Sequence, residues 1–244
     1  MAEWFDKVKA DFILNFITSG RWKLLFRGLG NTLVITFFAL LLGILIGIVV
    51  AAVCSSYDKN KEVMSLHRGA GYYILRAANA VCRFYLTVIR GTPAVVQLMI
   101  WYFIIFASSN NPNYVAIICF GVNSGAYVAE IFRSGIMAVD PGQAEAGRSL
   151  GFSYFRTMAY IVVPQAFKTV LPTLGNEFIA LIKETSIAGY VGIMDLTKAG
   201  DLIRNRTYSA FMPLIAVALV YLVLVIILTR LVGLLERRLR RSER

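Results

Sequence analysis

The sequence predicts an all-α, polytopic membrane protein, and three observations carry that expectation. Of 244 residues, 58% are hydrophobic and 16% charged, with a mean hydropathy of +0.66. A soluble chain carries about 45–50% apolar and about 25% charged residues. Runs close to 20 residues long and poor in charge recur along the chain, and about 20 is the helical length that crosses a hydrocarbon core. The net charge of +11 is accounted for by Arg and Lys in the connections and the tail, where they orient helices in a bilayer. Nucleic acid is therefore not an expected partner, and membrane lipid is.

Residues 1–30 place Trp4, Phe5, Val8, Phe12, Ile13, Phe16 and Ile17 at helical spacing with charges between them. This predicts an amphipathic segment on the membrane surface or against another span. It lacks the apolar core and cleavage site of a signal peptide, so the first span is expected to direct insertion. The transmembrane region occupies 31–235. Residues 31–54 form the first span, in which Gly43 and Gly47 make a small-residue step of low specificity. Residues 55–71 are polar, with Lys59, Lys61, His67 and Arg68. Residues 72–90 repeat Arg76, Arg83 and Arg90 on one helix face and read as an interfacial amphipathic helix. Thr92-Pro93 breaks it, and 94–107 continues, giving one long bent element.

Residues 114–139 form the next span, with Asn123, Ser124, Tyr127, Glu130 and Arg133 embedded. Between 139 and 163 lies a polar segment with a written helix start: Asp140 as N-cap and Pro141 in the first turn. Gly147 and Gly151 are expected to weaken that helix and let the chain bend. Residues 164–183 are long enough to span, and Pro164 and Pro172 predict a bent or broken helix. Residues 184–208 are mixed, and 209–235 form a clean last span. Five spans put the termini on opposite sides. The basic tail, 236–244, holds Arg237, Arg238, Arg240, Arg241 and Arg244 and argues for a cytoplasmic C-terminus. Lys7, Lys9, Arg21, Lys23 and Arg27 weigh the other way.

Cys54, Cys82 and Cys119 lie in or beside apolar runs without metal-type spacing, and with one histidine in the chain no metal site is expected. There is no GxxxxGK[ST] phosphate loop. No Ser/His/Asp set exists either, so no catalytic residues are assigned.

Glu145, Ala146 and Gly147 are followed by Gly151, Ile161, Val163 and Pro164. The spacing is Glu-Ala-Ala, three residues, Gly, nine residues, Ile-x-Leu-Pro. The segment resembles the EAA loop of permease subunits of ATP-binding cassette (ABC) importers, with Gly147 in place of the second Ala and Val163 in place of Leu. The chain is further similar to the polar amino-acid branch (histidine, glutamine and arginine type) over about residues 24–236. The matching residues are Arg90-Gly91-Thr92-Pro93 with Gln97, 126–133 (AYVAEIFR), Gly142-Gln143 and Pro164-Gln165-Ala166, then Leu171-Pro172, Asn176-Glu177 and 183–186 (KETS).

The resemblance implies a type I ABC importer fold in the bacterial cytoplasmic (inner) membrane. It implies a second permease subunit, identical or related, a cytoplasmic ATPase dimer that binds ATP and Mg, and an extracytoplasmic amino-acid-binding protein. No cofactor is expected on this chain, and the chain is a transport subunit rather than an enzyme. The residues assigned to ATPase coupling are Asp140, Gly142, Glu145, Ala146, Gly147, Gly151 and Pro164.

Polar groups inside spans are costly and mark sites or buried pairs. On that ground Asn123, Ser124, Tyr127, Asn176, Glu177 and Glu184 are candidates for the substrate pathway. Glu177 suits a substrate ammonium or an ion pair with an intramembrane base. Asn123, Ser124 and Tyr127 suit a cavity lining or interhelical hydrogen bonds. Glu130 and Arg133 suit a local pair. Lys183 and Glu184 suit a gate or snorkelling to the interface. Arg148 and Arg156 suit an ATPase contact or lipid headgroups. A permease for another small solute, an ion-driven secondary transporter and a non-transporting assembly subunit are the competing readings.

Overall fold

A chain with long apolar runs and few prolines can satisfy its backbone polar groups in lipid only as helices or a closed barrel. The computed structural model is helical throughout, with no strand among the described residues. It describes residues 1–66 and 69–241. The expectations placed on His67, Arg68 and Arg244 fall outside the described residues, as do the side chains of Lys59, Lys61, Arg240 and Arg241.

The helices are α1 (Ala2–Phe12), α2 (Trp22–Leu66), α3 (Ala70–Gly91), α4 (Ala94–Ile100), α5 (Pro112–Met137), α6 (Pro141–Ser149), α7 (Tyr154–Thr157), α8 (Val163–Glu184), α9 (Leu196–Thr207) and α10 (Phe211–Arg241). Three of them are long and apolar enough to cross a membrane: α2 over Trp22–Asp58, α5, and α10 over Phe211–Leu239. Ala70–Gly91 and Ala94–Ile105 pass the same test only together, as a helix pair broken between them, which fits a broken span or a re-entrant loop. The cause of the break is local. Pro93 has no N–H to give, and Thr92 before it is extended at φ −120°, ψ 147°. The fifth expected span, α8, is 22 residues long, but Lys168, Asn176, Glu177 and Lys183 make it too polar to qualify on composition.

Two boundaries differ from the sequence expectation. Helix α2 starts at Trp22 rather than at residue 31, and it continues through the polar stretch after Cys54 to Leu66. That stretch is polar but contains no Gly or Pro before residue 69, so nothing stops a helix already under way. Pro172 likewise sits inside α8 without ending it.

The chain divides into two compact units. The first comprises Met1–Ala39, Ala94–Phe120 and Ile179–Arg230. In it, buried Asn15 fixes the N-terminal segment. Its Nδ2 donates to the Asp11 carbonyl (2.8 Å) and to Ser209 Oγ (3.2 Å), and its Oδ1 accepts from Thr207 Oγ1 (2.7 Å). The segment is thus tied to the α9–α10 connection through Asn15. The turn before α9 is held against the start of α2. Asn31 Nδ2 donates to the Met194 carbonyl (2.9 Å), and Leu196 N–H donates to Thr32 Oγ1 (3.1 Å). Asp195, fully buried, caps α9 by accepting from the Thr197 and Lys198 amides at 3.0 and 2.9 Å. Burial pushes its carboxyl above the usual aspartate value, and those amide donors pull it back only in part.

The second unit comprises Leu40–Pro93, Gly121–Phe178 and Leu231–Arg244. Its centre is the crossing of α2 and α5. A Cβ placed on Gly47 would stand 2.5 Å from Val128 Cγ1, and one on Gly43 would stand 3.1 Å from Ser124 Cβ. From the other side, Gly121 faces Leu42 and Gly125 faces Ile46. The small-residue step on α2 is therefore met by a matching step on α5, and the two backbones approach closely. Val128, Val170 and Leu174 form the core beside it, with Leu40, Ile44, Ile131 and Phe132 around them. Cys54 and Cys82 pack with Val50 and Ala129 as free, apolar thiols.

Candidate functional site

Two features of the second unit carry the residues singled out in the sequence: the short helix α6 and a polar centre on α5 and α8.

Helix α6 is built by its caps. Asp140 Oδ1 accepts the Gly142 N–H at 2.7 Å, and Pro141 fills the first turn, where no donor is needed. At the far end Gly151 adopts φ +84°. Its N–H donates to the Arg148 carbonyl (2.9 Å), and the Phe152 N–H donates to the Gly147 carbonyl (3.1 Å). This paired pattern is the Schellman termination, which requires a left-handed residue where Gly151 stands. Gly147 does not bend the chain as expected. It is buried inside α6, where a Cβ would stand 2.6 Å from Ile161 Cδ1 and 3.1 Å from Thr157 Cγ2. It is a contact glycine that lets α6 lie directly on the helix entering α8. Gln165 Nε2 donates to Gln143 Oε1 at 3.3 Å across the same contact. Pro164 is not a helix start. The helical path runs through it from Tyr154, and a wide turn at Met158–Val162 precedes it, which is how a helix accommodates a missing N–H.

The outward side of this segment is open. Gly142, Glu145, Ala146 and Arg148 are exposed, and Leu150 and Phe155 are each 79% exposed. A cavity of about 300 Å³ is lined by Met137, Asp140, Glu145, Arg148, Tyr154 and Thr157. Arg156 is exposed as well.

In the polar centre the α2–α5 glycine contact fixes the rotation of α5. That rotation buries Asn123 and Ser124 and aims Ser124 at α8, where its Oγ donates to Glu177 Oε1 at 2.8 Å. Tyr127, one turn on, is 36% exposed and carries the Arg90 guanidinium 5.8 Å from its ring centre. Leu86, Thr87, Arg90, Gly91 and Tyr127 frame an open cavity of about 450 Å³. Asn176 does not join Glu177. It points into a separate cavity with Lys168, Thr173 and Glu236, because adjacent helical residues diverge by about 100°. Glu184 belongs to the first unit, half-buried at the end of α8.

Glu130 and Arg133 form the local pair expected, at 2.6 Å, but the pair is part of a larger chain of charges. Asp58 on α2 accepts Arg83 of α3 at 2.8 Å and lies 4.0 Å from Arg133, while Arg90 lies 4.0 Å from Glu130. The seven-residue spacing puts Arg83 and Arg90 on one face but does not reveal Asp58 as the partner of Arg83. Nothing in a local window marks Asp58, which sits 25 residues from Arg83.

The family described as binding-protein-dependent transport system inner membrane component matches residues 68–241. The chain is 40% identical over 166 residues to the arginine transport system permease protein ArtQ of Bacillus subtilis, covering 67% of this chain and 76% of that one. It is 38% identical over 167 residues to the glutamine transport system permease protein GlnP of Escherichia coli K12, again over 67% and 76% of the two. It is 35% identical over 222 residues to a putative glutamine transport system permease protein GlnP of Rickettsia prowazekii, over 89% and 94%. Among solved structures, that of an amino acid ABC transporter with histidines matches with a TM-score of 0.78 at 38% identity, covering 91% of this chain and 98% of that one. The inward-facing MetNI methionine ABC transporter shares the fold, with a TM-score of 0.69 at 22% identity over 91% and 96%.

Proposed function

The chain belongs to the family of binding-protein-dependent transport system inner membrane components, and from that footing we propose that it is the transmembrane subunit of an ATP-driven importer of a polar amino acid. It works in the bacterial inner membrane with a partner ATPase dimer, a second permease subunit and an extracytoplasmic binding protein. The relatives named for glutamine and arginine transport support the substrate class. ATP and Mg are held by the ATPase, and this chain contributes motion rather than chemistry.

One observation carries the reading. Helix α6 stands between the two helices whose side chains meet at Ser124–Glu177. It follows α5 after the short link 138–140, and it lies on the entry to α8 through Gly147 and the Gln143–Gln165 bond. An ATPase that grips the exposed Glu145–Arg148 face and closes on ATP displaces both helices together. The Ser124–Glu177 contact is then remade in a second arrangement. Glu177 supplies the negative charge that a substrate ammonium needs, and Ser124 holds that carboxylate in place between transport events.

The test is co-purification of the chain with its ATPase in lipid, followed by ATP hydrolysis and binding-protein-dependent uptake. The expected result is that Glu145→Arg and Gly151→Asp release the ATPase or separate hydrolysis from uptake. If no ATPase binds and an ion gradient alone drives normal uptake, the chain is a secondary transporter and this reading is wrong.

A further inference from the structure

Helix α8 carries a second polar cavity, of about 290 Å³, that the pathway at Ser124–Glu177 does not use. Lys168, Thr169, Pro172, Thr173 and Asn176 line it from α8, and Glu236 lines it from α10. The volume is close to the lower end of small-molecule sites, about 300 Å³.

Its chemistry is bipolar. Lys168 and Glu236 put opposite charges on two different helices, and among the described residues Lys168 makes no ion pair. The same lining carries one amide and two hydroxyls, from Asn176, Thr169 and Thr173. Pro172 has no N–H, so it gives no helical hydrogen bond to the Lys168 carbonyl four residues back. From Lys168 to Asn176 the helix rises about 12 Å, room for one amino acid. The wall is rigid on its far side, because a Cβ on Gly175 would stand 2.6 Å from Val232 Cγ2, so α8 and α10 are already in contact.

A cavity whose lining combines a cation, a carboxylate and neutral hydrogen-bonding groups complements a zwitterion. We propose that it is a second binding site for the transported amino acid, with Lys168 receiving the α-carboxylate and Glu236 the α-ammonium. The site lies on the exit side. Lys168 is nearer than Glu177 to the α6 end of α8, and Glu236 heads the basic tail. Asn176 serves this site, while Glu177, one residue on, serves the other. The proposal rests on the amino-acid permease reading.

The experiment uses the permease–ATPase complex in nanodiscs without its binding protein, titrated separately with tritiated glutamine, arginine and histidine. In parallel, ATP-dependent uptake is measured with the binding protein present. The wild type should bind two equivalents of the transported amino acid per permease chain. Lys168→Met and Glu236→Gln should each weaken one of the two about tenfold or more, the range of a hydrogen bond to a charged group. Lys168→Arg should retain it, and Glu177→Gln should weaken the other. Monodisperse elution of each variant guards against misfolding, and Lys168→Arg keeps the test valid if Lys168→Met fails it. One equivalent in the wild type, unaltered by Lys168→Met and Glu236→Gln, overturns the proposal while uptake continues. Displacement of that equivalent by ethanolamine phosphate, and not by a second amino acid, overturns it in favour of a lipid headgroup. Absence of ATP-dependent uptake of any of the three overturns the functional reading, and this site with it.

Discussion

Replacing Gly151 by alanine tests the coupling segment through a single physical cause. The residue adopts φ +84°, and no atom lies within 4 Å of a Cβ placed there. Alanine therefore meets no steric obstacle, and the whole cost is the left-handed backbone, about 1–2 kcal/mol for a residue with a Cβ. That is a factor of about 5–30 in the equilibrium constant for the properly ended helix. If the ATPase recognises α6 in this shape, its apparent affinity for the permease should fall by up to the same factor. Asparagine tolerates the left-handed region better, so Gly151→Asn should lose less. Gly233→Ala is the control. That glycine lies in α10, also with nothing within 4 Å, and alanine there should be neutral or stabilising by up to about 1 kcal/mol. The assay is binding of the labelled ATPase to the permease in nanodiscs, with the melting temperature read on the same samples. Equal ATPase affinity for wild type and Gly151→Ala, at equal melting temperature, would refute the argument that this turn shapes the docking face.

Three further outcomes follow from the same geometry. Gly47→Ala should destabilise the fold by up to about 2 kcal/mol net, since overpacking against Val128 costs about 1–3 kcal/mol and helix propensity returns about 1; a melting temperature above that of the wild type would show that α2 and α5 are not in close contact. Ser124→Ala should raise KM for uptake more than it lowers the melting temperature, because it removes one hydrogen bond to the Glu177 carboxylate without opening a large cavity; an unchanged KM would remove Ser124 from the pathway. Asp195→Asn should flatten the pH dependence of stability. The folded carboxyl titrates above its unfolded value, so its contribution is greatest below that unfolded value and is lost as pH rises through the folded one. Unfolding followed upward in pH from the ordinary aspartate range, about 4, to neutrality should show the wild type losing stability relative to the Asp195→Asn variant, and parallel curves would contradict the assignment.

The helices, the break at Pro93 and the caps of α6 were legible in the sequence because each is set by neighbours within a few residues. Apolar length makes a span, a proline without an N–H makes a bend, and Asp140-Pro141 and Gly151 end a helix wherever it lies. The family resemblance was legible for the same reason, since its motifs are short and ordered along the chain. The helical continuation of α2 past Cys54 is not marked in the sequence, because polarity ends an apolar span without ending a helix, which takes Gly, Pro or a capping geometry. What the sequence could not decide were the partners of long-range contacts. Gly47 in a small-residue step, Asp58 in a polar stretch and Asn176 beside Glu177 look alike in any window. Only the tertiary packing sets Gly47 against Val128, joins Asp58 to Arg83 and Arg133, and turns Asn176 into a cavity and Glu177 toward Ser124. The physical reason is that helix rotation is fixed by side-chain contacts between helices far apart in the chain, and a rotation of about 100° between adjacent residues is enough to assign them to different sites.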